Sequence, residues 1–115
     1  MPSSSPKKIK LNPLQAKTLA LLQVLAKDSD SSLPIPDSED IRITRLPHAH
    51  GNHVHVGAFV VSAKDTSGLG NPSVWTALAR KGLVRDNWNE DIVITSEGLA
   101  LSTGLEDKFM SVSDH

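Results

Sequence analysis

The chain contains no cysteine, which excludes disulfides, thiolate metal sites and cysteine nucleophiles together. Any metal would have to be held by histidines and carboxylates. Aromatic residues are scarce too, at 3% of a chain that is 38% hydrophobic. A core must therefore be built from Leu, Val, Ile and Ala, with Trp75, Trp88, Phe59 and Phe109 as its few large pieces. Apolar runs such as Leu19 to Leu22 are far too short to cross a bilayer, and the first residues lack the apolar stretch of a signal peptide. The protein is read as cytoplasmic. There is no Gly-rich phosphate loop, no nucleophile motif and no pair of acids in a recognisable setting, so an enzyme is not expected.

An overall excess of positive charge is also missing. The formal net charge is −1, whereas a nucleic-acid binder ordinarily clusters Lys and Arg against phosphates. The charge is segregated, however: Lys7, Lys8, Lys10, Lys17 and Lys27 make the first segment basic, and Asp28, Asp30, Asp37, Glu39 and Asp40 make the next one acidic.

At 115 residues the chain suits a single domain. Residues 1–10, rich in Ser, Pro and Lys, read as a mobile basic arm, residues 11–105 as the domain, and residues 106–115 as a polar tail that frays unless Phe109 and Met110 dock. Asn12 is a preferred N-cap, Pro13 suits the first helical position, and Gln15 stands where a capping-box partner reaches back. Leu14, Thr18, Leu21, Leu22 and Leu25 follow at helical spacing, widened by Leu19 and Val24, which predicts a buried helix over 13–27. The Asp28–Asp40 stretch, with Pro34 and Pro36, reads as an exposed loop.

From Ile41 the pattern shortens. Ile41, Ile43, Val54, Val56, Ala58 and Val60 fit one strand face if the chain folds back at Gly51-Asn52, predicting a long hairpin over 41–63. After a loop over 64–70, Asn71-Pro72 repeats the cap signal and opens a second helix with Val74, Trp75, Leu78 and Ala79 as its buried stripe. Gly82 fits the left-handed position after a helix end. Two short strands, Leu83 to Arg85 and Asp91 to Ile94, flank the polar tip 86–90. Thr95 then caps a final helix carrying Leu99 and Leu101 and ended by Gly104.

The run VWTALARKGLVRDNWNEDIVITSEGLAL, residues 74–101, resembles the second half of bacterial winged-helix regulators. Lys81-Gly82-Leu83-Val84 matches the turn that ends the recognition helix, 84–94 the wing, and Thr95 through Gly98 the entry to the closing helix. The layout helix, hairpin, helix, wing is also similar to the small bacterial YjhX family of toxin-like proteins. The resemblance implies an α+β winged-helix domain in which a long β-hairpin replaces the usual second helix. It also implies a DNA-binding transcriptional regulator that uses the helix over 72–82, acting as a homodimer on double-stranded DNA. Under this reading Ser73, Thr76, Arg80 and Lys81, with Ala77, face the major groove, and Lys81 and Arg85 position the backbone. Without the resemblance the same residues are an ordinary solvated helix face. The acids Asp86, Glu90 and Asp91 at the wing tip oppose phosphate contact. Trp88 beside them reads as either a partner anchor or, preferably, a cover for the small core.

One segment stands apart. Pro47-His48-Ala49-His50-Gly51-Asn52-His53-Val54-His55 holds four of the five histidines. A turn at Gly51-Asn52 pairs His50 with His53 and His48 with His55 on one face. Such a set can hold Zn²⁺, Ni²⁺ or Cu²⁺ through neutral imidazoles, although no motif requires a cofactor. It can equally be a polar strand face, or a pH-sensitive one, since imidazoles titrate near about 6.5. The alternative to DNA binding is accordingly a protein-interaction module carrying a metal on its hairpin.

Overall fold

In the computed structural model, which describes residues 9–105 and 110–112, the first helix forms over the predicted span, α1 (Pro13–Lys27). Asn12 accepts from the backbone N–H of Gln15 at 2.8 Å, and the Gln15 side chain accepts from the N–H of Asn12 at 3.1 Å. That reciprocal box satisfies donors that the first helical turn would leave unpaired. Leu19, Leu21, Leu22 and Leu25 are buried, with Ala16 and Ala20 between them, so α1 is covered on most of its circumference. Thr18 is buried as well, its hydroxyl donating to the Leu14 carbonyl at 2.9 Å. The C-terminal end is closed by Ser32, whose hydroxyl donates to the carbonyls of Ala26 and Asp28.

The architecture is α+β, with three α-helices, a 3-10 helix and two small antiparallel sheets among the described residues. The segment over 28–40 is not wholly a loop. It includes β1 (Ser32–Pro34), which pairs with β2 (Ile41–Ile43). Pro34 lacks an N–H for a ladder, but β1 lies at the edge of its sheet, where a proline is tolerated. The other neighbour of β2 is β6 (Val93–Ile94), with Ile41 opposite Ile94 and Arg42 opposite Val93. Val84 bridges to the far side of Ile94.

This arrangement overturns the single hairpin over 41–63. Ile41 and Ile43 belong to the β1-β2-β6 sheet, while the chain beyond builds a second sheet of β3 (Ala49–His50), β4 (His53–Val56), β5 (Phe59–Ser62) and β7 (Met110–Val112). Reversal at Gly51-Asn52 occurs as expected, with Gly51 at φ 68° leading a two-residue turn. A second reversal at Gly57-Ala58 brings Val54 opposite Val61 and Val56 opposite Phe59. The buried set is therefore Val54, Val56 and Val61, and Val60 falls opposite His55 on the other face. β7 comes from the stretch read as a polar tail and pairs with β5. Residues 1–8 of the arm expected over 1–10, and Phe109, lie outside the described residues.

The loop expected over 64–70 is a 3-10 helix, Ala63–Gly70, tied to α1 by a 2.7 Å ion pair between Lys17 and Asp65. Asn71 then caps α2 (Pro72–Arg80), accepting from the N–H of Ser73 at 3.0 Å. Val74, Trp75 and Leu78 are buried, and Ala79 is half-buried at the margin of the same face. α2 ends in a Schellman motif. Gly82 adopts φ 76°, its N–H donates to Ala79, and the N–H of Leu83 donates to Leu78. Leu78 and Leu83, which bracket that motif, are both fully buried.

In β6 both Val93 and Ile94 are buried, rather than alternate residues only, because α1 and α3 (Ser96–Ala100) both pack against this strand. The Thr95 hydroxyl donates to the Gly82 carbonyl at 2.6 Å and accepts from the Gly98 N–H at 3.1 Å, joining the end of α2 to the start of α3. α3 stops at Ala100, one residue short of Leu101. There the Gln23 side-chain amide donates to the carbonyls of Gly98 and Leu101, fixing the last turn to α1.

Gly98 is the tightest point of this junction, because a Cβ there would collide with the Leu83 carbonyl oxygen, a backbone atom that cannot swing aside. Gly98→Ala is expected to lower stability by about 1 to 3 kcal/mol, the usual range for overpacking, in urea unfolding followed by circular dichroism. Unchanged stability would show that the junction has slack.

Candidate functional site

Burial of Val74, Trp75 and Leu78 turns the opposite side of α2 outward. Ser73 and Arg80 are exposed there, with Thr76, Ala77 and Lys81 half-exposed. Four of the five residues expected to contact DNA thus lie on one helix and its C-cap. The fifth is differently engaged. Arg85 Nε and one terminal nitrogen both donate to Asp40 Oδ2, at 3.1 and 2.8 Å, while Asp40 Oδ1 accepts from the Ser96 N–H at 2.9 Å.

Asp40 has no motif to announce it. It follows a turn in which Asp37 takes φ 62°, a left-handed conformation that Asp tolerates, and in which the Ser38 hydroxyl accepts from the Asp40 N–H. Its carboxylate ends up on the first turn of α3, joined to Arg85 in the segment that leaves α2. The hydrogen bond from the Arg85 guanidinium, helped by the Ser96 amide, holds its carboxyl below the usual aspartate range despite the opposing cost of partial burial.

A second ion pair crosses the same sheet, Arg42 to Asp91 at 3.1 Å. The acidic charge around the polar tip over 86–90 is therefore not balanced by Arg85. Asp91 is matched from β2 instead, and Asp86 and Glu90 remain exposed with no ion pair among the described residues. Trp88 turns back onto the body of the protein. It stacks on Trp75 with ring centroids 6.1 Å apart and planes 12° from parallel, and Trp75 is itself anchored by an indole N–H bond of 2.9 Å to the Leu69 carbonyl.

The histidine segment is brought together only in part. His50 stands opposite His53 in the ladder, as the turn requires. His48 lies outside β3, which starts at Ala49, two residues after a proline that has no N–H to offer a ladder. The His53 and His55 rings meet edge to face at 5.1 Å. Among the described residues no group of three or more His, Asp or Glu is gathered closely enough to hold a metal ion.

Two concavities flank these features. A groove of about 910 Å³ runs between α1 and the β4–β5 turn, with Val24, Phe59, Lys27 and Asp30 among its walls. It shares no residue with the outward face of α2. A smaller depression of about 380 Å³ adjoins that face and is lined by Thr76, Ala79, Arg80, Asp86 and Trp88. No described helix is long and apolar enough to cross a membrane.

No protein-family model, curated protein or solved structure matches this chain. Function must therefore be argued from the residues themselves.

The Asp40–Arg85 contact makes a pH prediction. A carboxyl whose pKa is depressed by folding stabilises the native state above its ordinary value near 3.8, and this contribution fades as pH falls through the lower folded value. Asp40→Asn is expected to lose stability at pH 7 and to converge with the native protein below about pH 4. Denaturant midpoints measured across this range test it; a gap that persists undiminished at low pH would assign the loss to packing instead.

Proposed function

We propose that the protein is a DNA-binding, regulator-like module of winged-helix type, in which α2 is the recognition helix and the segment over 84–94, closed by the single Val84–Ile94 bridge, is the wing. The observation that carries this reading is the polar outer face of α2: Ser73, Thr76, Arg80 and Lys81 lie outward on a helix whose inner face is locked by Trp75 and Leu78. A rigid helix with small polar residues and two cations on its free side suits a major groove, where Arg80 can meet guanine and Thr76 a thymine methyl. The strand order supports it too, since β6 pairs with β2, a strand lying between α1 and α2 in sequence, and the returning segment bridges at Val84. Arg85 serves the fold first, holding Asp40 and through it α3, so its phosphate contact is secondary. A homodimer fits, because a module this small reads a two-half-site operator as a pair.

Binding of a mixed-sequence DNA duplex, followed by fluorescence anisotropy over a salt series, tests the proposal. Affinity is expected to fall steeply with salt. Arg80→Ala should weaken binding by about tenfold or more, and Lys81→Ala should reduce the salt slope by about one. No binding at low salt, or no effect of either substitution, would overturn it.

Exposed Asp86 and Glu90 favour a second reading, a protein-interaction module without DNA, because acids at the wing tip repel phosphates. In that reading the candidate ligands for Zn²⁺ or Ni²⁺ are His48, His50, His53 and His55, which the ion itself would have to draw together. Titration of either ion is expected to show weaker binding to a His50→Ala, His53→Ala double variant. Equal affinity for both proteins would remove the hairpin as a metal site.

A further inference from the structure

The depression beside α2 combines three features that no step of DNA binding requires together. Its aromatic wall, Trp88, is backed by Trp75 in a near-parallel stack, and Trp75 is held by the Leu69 carbonyl, so the indole plane is fixed from behind. Its charged walls are Arg80 and Asp86. Both are exposed, both line the same 380 Å³ space, and neither has an ion-pair partner among the described residues, although Arg42, Arg85 and Lys17 are each matched to an acid. A cation and an anion that share a hollow without closing on each other leave room for a molecule carrying both complementary charges.

We infer that this depression binds a free aromatic α-amino acid. The α-carboxylate meets the Arg80 guanidinium, whose forked donors suit a planar carboxylate, and the Thr76 hydroxyl supplies a further donor. The α-ammonium meets Asp86, and the aromatic side chain lies against Trp88. The volume falls within the roughly 300 to 1,000 Å³ of ordinary small-molecule sites. Other ligand classes each leave something unmatched. A polyanion is repelled by Asp86, a simple cation by Arg80, and an uncharged ring leaves both charges without a partner. The inference does not depend on DNA binding, but it shares Thr76 and Arg80 with the proposed reading face, so an occupied depression withdraws the cation that the groove would use.

The two indole N–H signals of the full chain, Trp75 and Trp88, give a direct readout by nitrogen-edited NMR. Titration with L-phenylalanine and L-tyrosine, in the absence of DNA, is expected to move the Trp88 signal saturably. Glycine, which lacks the ring, and N-acetyl-L-phenylalaninamide, which lacks both charges, should leave it in place. Arg80→Gln and Asp86→Asn, at exposed positions outside the core, should each weaken the response about tenfold or more, in the range of a lost charge-assisted hydrogen bond. Absence of a saturable shift with either amino acid up to about 10 mM, beyond the millimolar range of weak specific binding, would overturn the inference. So would native affinity in both charge variants, or equal binding of the uncharged amide.

Discussion

Burial of α1 is the constraint on which the remaining elements depend. A helix covered on most of its circumference has no single partner, and here the 3-10 helix, α2, α3 and both sheets all pack against it. Its four deeply buried leucines at 19, 21, 22 and 25 each contribute on the order of 1.5 to 3 kcal/mol by leaving water. Because the chain has so few aromatic residues, this aliphatic stripe supplies most of the large apolar surface, and the Trp75–Trp88 stack closes one side of it. The polar connections radiate from the same helix: Lys17 holds the 3-10 helix and Gln23 holds the end of α3.

This dependence explains why the outward face of α2 is so sharply defined. A helix of nine residues is too short to be stable alone. Capping by Asn71 and the Schellman turn at Gly82 fix its ends, and the Trp75 side chain fixes its rotation by inserting beneath it and bonding to Leu69. Ser73, Thr76 and Arg80 then leave the helix on one fixed side.

Helices were more legible in the sequence than sheets, for a physical reason. Caps and helical periodicity are local, so Asn12 with Gln15 and Asn71 with Pro72 mark α1 and α2 within a few residues. Strand identity depends on which partner the strand finds. Nothing near Ile41 and Ile43 reveals that they leave the hairpin for Val93 and Ile94, and the second turn at Gly57-Ala58 inverts the parity that had placed Val60 inward. Pro34 concealed β1 because a proline argues against a strand unless the strand is known to lie at an edge. The outward α2 residues and the inward turn of Trp88 followed from spacing and from the needs of a small core. The pairing of Arg85 with Asp40 did not, since an ion pair joining two segments leaves no mark in either one.

The union of β2 with β6 has a further consequence for how the molecule assembles. Nearly half the chain lies between Ile41 and Ile94, whereas the β3–β4 and β4–β5 pairs close across two-residue turns. Local hairpins of that kind form early at little entropic cost, and a seam between distant segments must wait until the intervening chain has been gathered. The β2–β6 seam is thus a slow closure of the fold, as is the β5–β7 pair, whose partners are equally distant in sequence. The two cross-seam ion pairs, Arg42 with Asp91 and Asp40 with Arg85, sit where they resist its reopening. α2 is enclosed between the seam's two strands in sequence, and its orientation becomes final only when that closure is complete.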